Sequence, residues 1–168
     1  MGRLRLATIW LGGCSGCHMS FLDIDEFLID LAGLVDVVYS PLVDTKVYPK
    51  DVDVVLIEGA AASEEHIDLA RLARKNTKKV VAFGDCAVTG NVTAMRNHLG
   101  PALVVLERAY LRDVDVRPGI PCEPGIVPVL LDRVRPLHEV IPVDGFIPGC
   151  PPPAKRIKEY LESTLANR

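Results

Sequence analysis

Rings are scarce in this chain. Aromatic residues make up 5% of its 168 positions, with a single Trp. Unstacked bases would find few flat side chains to lie against. Positive charge is not in excess either: 19 Lys and Arg stand against 22 Asp and Glu, a net charge of −3. A basic nucleic-acid surface is therefore not expected. No apolar run is long enough to span a bilayer. Neither an apolar signal core nor a twin-arginine leader precedes the first strand-like stretch, Arg3-Leu4-Arg5-Leu6. The expectation is a soluble, cytoplasmic protein that binds neither nucleic acid nor membrane. Repeats, low-complexity tracts and a dividing linker are also lacking. Residues 1–168 are read as one domain, long enough to bury a sizeable core.

What the chain does have is five cysteines, 13 glycines and 13 prolines. In a reducing compartment, five cysteines argue for metal or redox use rather than structural disulfides. An apolar strand, Arg5 to Leu11, runs into Gly12-Gly13 and then Cys14-Ser15-Gly16-Cys17-His18. Helical spacing of Leu22, Phe27, Leu28, Leu31 and Leu34 predicts a helix from about Met19 to Gly33. Its acids, Asp23, Asp25, Glu26 and Asp30, read as a solvated face. Val35 to Tyr39 is a second strand. Asp53 to Ile57 is a third, almost continuously apolar, as a parallel strand buried on both faces is. It stops at Glu58-Gly59. Ser63 then caps a helix with Glu64 and Glu65 in its first turn and Arg74-Lys75 in its last. Lys79 to Phe83 is a fourth strand, stopping at Gly84-Asp85-Cys86. Pro101 opens a helix to Arg112. Ten of the 13 prolines fall between Pro118 and Pro153, so this part is extended and stiff. A short helix is expected around Val127 to Val134. A fifth strand, Val140 to Ile147, stops at Pro148-Gly149-Cys150-Pro151, and Pro153 opens the last helix.

Alternating strands and helices predict an α/β fold: a parallel sheet with helices on both faces and right-handed crossovers. The carboxyl ends of all strands then share one edge, where such sheets bind ligands. Cys14 and Cys17, Cys86, and Cys150 end three of those strands, and Glu58 ends a fourth. The convergence is more specific than the Cys-x-x-Cys pair alone. Glycines flank the thiols at Gly13, Gly16, Gly84 and Gly149, which permits tight backbone approach. Four thiols suit a [4Fe–4S] cluster or a structural zinc ion. Zinc knuckles usually supply two close pairs. Here one pair and two single cysteines come from a full-sized core, which favours the cluster over zinc or unmetallated thiols.

Cys122, in Gly119-Ile120-Pro121-Cys122-Glu123-Pro124, lies outside the strand-end set and reads as a spare thiol. His18 reads as a structural or solvent-facing residue, with a proton relay as the sharper alternative. Trp10 and Phe146 read as packing beside the cluster.

The motifs Cys14-Ser15-Gly16-Cys17, Ile57-Glu58-Gly59-Ala60, Gly84-Asp85-Cys86-Ala87 and Pro148-Gly149-Cys150-Pro151-Pro152 resemble the small subunit of nickel–iron hydrogenases. The resemblance covers both ends and the middle of the chain. It implies a flavodoxin-like fold with one [4Fe–4S] cluster held by the cysteines that match the family's ligands: Cys14, Cys17, Cys86 and Cys150. Membrane-bound relatives carry an export leader and a C-terminal part with two more clusters. Coenzyme-F420-reducing relatives add a ferredoxin-type segment. This chain shows neither, and so looks like the short small subunit of cytoplasmic, bidirectional NAD-reducing hydrogenases. That implies two kinds of partner: a large subunit with the Ni–Fe site, and a flavin and Fe–S diaphorase module. The homologous cluster subunit of respiratory NADH:quinone oxidoreductase resembles the chain around Gly149-Cys150-Pro151. However, it has two adjacent cysteines where this chain has Cys14-Ser15-Gly16-Cys17.

Flavodoxins hold the FMN phosphate in a hydroxyl-rich first loop. Here that loop holds two cysteines, so FMN is expected on a partner rather than in this subunit. Glu58 is either a solvated turn acid or a functional carboxyl on the cysteine-bearing edge. In the second case it serves as a proton relay or as a hard oxygen ligand to an oxidised cluster. A non-redox scaffold, zinc-bound or metal-free, is the competing class of function. Colour separates the classes: cluster-bearing protein is brown and bleaches with dithionite.

Overall fold

The structure, a computed structural model, describes residues 2–112, 115 and 117–166. Its strands are β1 (Leu4–Trp10), β2 (Val35–Tyr39), β3 (Val52–Glu58), β4 (Ala61–Ser63), β5 (Thr77–Phe83), β6 (Leu130–Arg135) and β7 (Gly145–Ile147). Its α-helices are α1 (Gly16–Leu22), α2 (Phe27–Leu34), α3 (Glu64–Asn76), α4 (Asp85–Thr89), α5 (Asn91–Ala94), α6 (Ala102–Glu107) and α7 (Ala154–Ala166). Five strands pair in parallel in the order β2-β1-β3-β5-β7. Counting only these five, the order is 2-1-3-4-5, the flavodoxin-like arrangement. The chain changes direction across the sheet between β1 and β3, and the crevice beyond that point is where such folds bind ligands.

Alternation along the strands divides the core in two. Ala7, Ile9, Val55, Ile57, Val80 and Ala82 point to one face, where Ala70 and Ala73 of α3 meet them. Leu6, Val54, Leu56, Val81 and Phe83 point to the other, against Leu31 of α2 and Ile157 and Leu161 of α7. Val55, Leu56, Ile57 and Phe83 have no exposed surface. Each such side chain contributes about 1.5–3 kcal/mol by leaving water. The predicted cap of α3 is present: Ser63 Oγ accepts the His66 N–H at 3.3 Å.

Four expectations need correction. The helix expected over Met19 to Gly33 is two helices, α1 and α2. The break lies in the Asp-rich residues 23–26, where Asp25 adopts φ 50° and Ile24 drops into the core. Asp tolerates left-handed backbone and competes for the helix's own hydrogen bonds. The helix expected over Pro101 to Arg112 is α-helical only through α6, then widens into a π turn over Arg108–Arg112. The short helix expected at Val127 to Val134 is instead strand β6, antiparallel to β4. Long-range partners decide this: β4 bonds one edge, and side chains bond β6 from elsewhere. Asn97 gives and takes hydrogen bonds at Val134 (2.9 and 2.8 Å), and Arg96 reaches the Leu131 carbonyl at 2.6 Å. Finally, the fifth strand of the sheet is only Gly145–Ile147. Pro136 and Pro142 flank a 3-10 turn, Leu137–Glu139, and an irregular connection. Among the described residues, no helix is long and apolar enough to cross a membrane.

Candidate metal centre

Three loops build the site, and backbone hydrogen bonds join them. The loop after β1 is tied to the end of β3: Leu11 N–H donates to the Glu58 carbonyl (2.8 Å), and Gly12 and Ala60 exchange bonds of 2.9 and 2.8 Å. The loops after β5 and β7 are tied to each other. Gly84 N–H reaches the Ile147 carbonyl and Asp85 N–H the Gly149 carbonyl, both at 2.9 Å. Asp85 Oδ1 accepts the Gly149 N–H at 2.7 Å. Ser20 Oγ in α1 donates to the Pro152 carbonyl at 2.6 Å, which fastens the first loop to the last.

The four strand-end cysteines stand on this frame. Cys14 and Cys150 are exposed, and Cys17 and Cys86 are buried. Gly84 is the pivot. Its φ is +82°, and a Cβ built on it would lie 2.1 Å from Cys17 Sγ. The Cys17 sulfur therefore occupies the place of the side chain that Gly84 lacks. Burial pushes the Cys17 thiol's pKa up, and the nearby charges of Glu58, Cys86, Cys14 and Cys150 push it further. The Cys86 thiol is raised by burial and then by Cys150, Cys14 and Glu58, while a hydrogen bond with Thr93 opposes this. The four sulfurs are thus electrostatic neighbours. Even so, among the described residues no three His, Cys, Asp or Glu side chains are placed to hold a single metal ion.

Glu58 is not a solvated turn acid. It is 1% exposed. Its Oε2 lies 2.9 Å from the His18 amide and 2.5 Å from His18 Nδ1, and its Oε1 lies 3.4 Å from the Cys17 amide. His18 does not face solvent: it is 8% exposed, with its ring edge-on to Phe83 at 6.2 Å. The Glu58–His18 pair was missed in the sequence. Its signal was there: a histidine next to a thiol on the edge that carries Glu58. Trp10 and Phe146 are about half exposed; Trp10 Nε1 lies 3.6 Å from where a Cβ on Gly13 would stand, and Phe146 meets His138 edge-on at 6.3 Å. Cys122 lines a separate apolar cavity of about 590 Å³ with Leu106, Tyr110, Ile120 and Leu130. It is not among the charges that act on Cys17 or Cys86.

The family described as the NADH ubiquinone oxidoreductase 20 kDa subunit matches residues 14–164. The chain belongs to this family. Two similar relatives are hydrogenase subunits. An F420-non-reducing hydrogenase subunit of Methanothermobacter marburgensis is 41% identical over 97% of this chain and 54% of its own length. This chain therefore spans about half of that relative. The delta subunit of the NAD-reducing hydrogenase HoxS of Cupriavidus necator is 39% identical over 99% of this chain and 81% of its own. A crystal structure of NAD⁺-reducing [NiFe]-hydrogenase in the H₂-reduced state contains a chain 39% identical to this one. It superposes with a TM-score of 0.94 and covers 99% of this chain and 93% of that one. The parallel α/β fold is shared with that hydrogenase subunit.

Proposed function

We propose that this chain is the electron-relay small subunit of a cytoplasmic, NAD-reducing nickel–iron hydrogenase, and that it holds one [4Fe–4S] cluster through Cys14, Cys17, Cys86 and Cys150. The observation that carries this is the thiol set. Cys14 and Cys17, Cys86, and Cys150 stand on three loops that hydrogen bonds tie together at one sheet edge. An all-thiolate set of one close pair and two single cysteines suits iron–sulfur chemistry better than the two close pairs of a zinc knuckle.

A bound cluster would supply one-electron storage and transfer. The chain's own residues do the rest. Cys17 and Cys86 seal the inner side, and Cys14 and Cys150 leave the outer side open. Gly84 makes room for the Cys17 sulfur. Glu58 holds the amides of Cys17 and His18, which fixes the turn that carries two of the ligands. Glu58 in this reading also serves as a proton relay or as an alternative ligand to the oxidised cluster, which its burial beside the Cys17 amide supports.

A relay needs a donor and an acceptor. Trp10, Met19 and Phe146 expose apolar surface, and Val92, Met95, Leu99 and Leu103 expose more. Apolar area of this kind marks protein contacts. We assign these surfaces to two partners: the large subunit with the Ni–Fe site and the flavin and Fe–S diaphorase module. FMN belongs on that module, because the first loop here is given over to cysteines. Purification of the native complex, with assay of H₂-dependent NADH formation, tests this. Nickel with reversible H₂:NAD⁺ activity is expected. A nickel-free complex that reduces quinone would place the chain in the respiratory branch of the family.

A further inference from the structure

We propose that His18 is a positioning residue: by donating Nδ1–H to Glu58, it holds the carboxylate on the amides at the start of α1 and off the metal group bound by the four thiols. This rests on the proposed cluster.

Glu58 stands beside the ligand set. Its charge acts on both Cys17 and Cys86. Its Oε1 lies 3.4 Å from the amide of Cys17, one of the proposed ligands, and a carboxylate is a hard oxygen donor of the kind an oxidised iron takes. What holds it back is visible. Oε2 takes its two close contacts from one residue, His18, through the backbone N–H (2.9 Å) and Nδ1 (2.5 Å). The contact to the Cys17 amide is longer, at 3.4 Å. An ionised carboxylate only accepts, so the ring bond takes the tautomer with its hydrogen on Nδ1. The backbone bond is available to any residue but proline at position 18, whereas the ring bond is not.

The ring is also costly to keep where it is. His18 is 8% exposed and lies edge-on to Phe83, which is fully buried. Among the described residues, Nε2 is buried with no hydrogen-bond partner. An unpaired buried polar atom is unfavourable. A leucine would fill this space without that penalty. What the imidazole adds is its other nitrogen, whose partner is Glu58.

The test uses the intact complex, purified anaerobically. His18→Leu keeps bulk and removes the donor. His18→Gln keeps polarity but reaches the Nε2 place rather than the Nδ1 place, and serves if the leucine variant does not fold. His18→Asn puts an amide N–H close to the Nδ1 place. Iron per chain, the EPR spectra of oxidised and reduced protein, and the cluster potential are measured. Iron should match wild type in all three variants. The Leu and Gln variants should alter the oxidised-state spectrum and shift the potential, and Asn should restore both towards wild type. In a Glu58→Gln background, His18→Leu should add nothing, because the residue acts through the carboxylate. Iron-replete His18→Leu with unchanged spectrum and potential overturns this inference alone. So does a His18→Leu effect of equal size in the Glu58→Gln background. Wild-type complex with no iron in this chain overturns the cluster assignment and this inference with it.

Discussion

Replacing Gly84 by Ala tests the site at its tightest point. The new Cβ would start 2.1 Å from Cys17 Sγ, and real Cβ contacts essentially never fall below 3.0 Å. The sulfur or the end of β5 must therefore move by at least about 0.9 Å, the difference between those two distances. Bound groups tolerate misplacement of only about 0.5 Å before function suffers. The backbone adds a second strain. Gly84 sits at φ 82° and ψ 162°, a region essentially reserved for glycine. Holding alanine there costs about 1–3 kcal/mol. For a chain of this size that lowers Tm by roughly 2–12 °C. Gly84→Ala should thus fold with reduced stability and lose or convert its cluster. The assay is iron and sulfide per chain, the visible spectrum and a thermal melt, beside Gly119→Ala. Gly119 has nothing within 4 Å of its would-be Cβ, so that variant should match wild type. Full iron content in Gly84→Ala with an unchanged Tm would refute the reasoning.

Serine at Cys14, Cys17, Cys86 or Cys150 should lose or convert the cluster, while Cys122→Ser keeps it; full iron in Cys86→Ser would contradict the ligand assignment. Ser63→Ala removes the α3 cap, which costs about 0.5–2 kcal/mol, and should lower Tm without touching iron content. Burial tends to raise the Asp144 carboxyl's pKa, but the Val80 amide and the Arg74 guanidinium outweigh it and hold the group below the usual carboxylate range. Its contribution to stability is therefore present above the unfolded pKa of about 3.9 and lost as pH falls through the lower folded value. Melts of cluster-free chain between about pH 6 and 3 should show an acid limb that Asp144→Asn flattens; an unaltered limb would remove Asp144 from the account.

The sheet was legible because its strands announce themselves. Val54–Ile57 and Val80–Phe83 are apolar on both faces, and each of their strands ends at a glycine turn. Once the strands are placed, a parallel sheet puts Cys14, Cys17, Cys86, Cys150 and Glu58 on one edge by topology alone. Strand β6 was not legible, because its structure comes from β4, Arg96 and Asn97, all at least 30 residues away. The break between α1 and α2 was half-legible: Asp23, Asp25, Glu26 and Asp30 are exposed, as expected of a solvated face, but Asp25 also takes the left-handed backbone that ends the helix. The Glu58–His18 bond spans 40 residues. Topology puts His18 and Glu58 on the same edge, but whether they touch depends on how far the first turn folds back over β3.

The central claim is that four thiols hold one four-iron cluster. Its most direct test is iron, acid-labile sulfide and zinc per chain in anaerobically purified protein, with EPR before and after dithionite. The account predicts about four irons and four sulfides for each chain, no stoichiometric zinc, and brown protein that bleaches and gains a reduced-cluster signal. Colourless protein with one zinc per chain and no labile sulfide would contradict it.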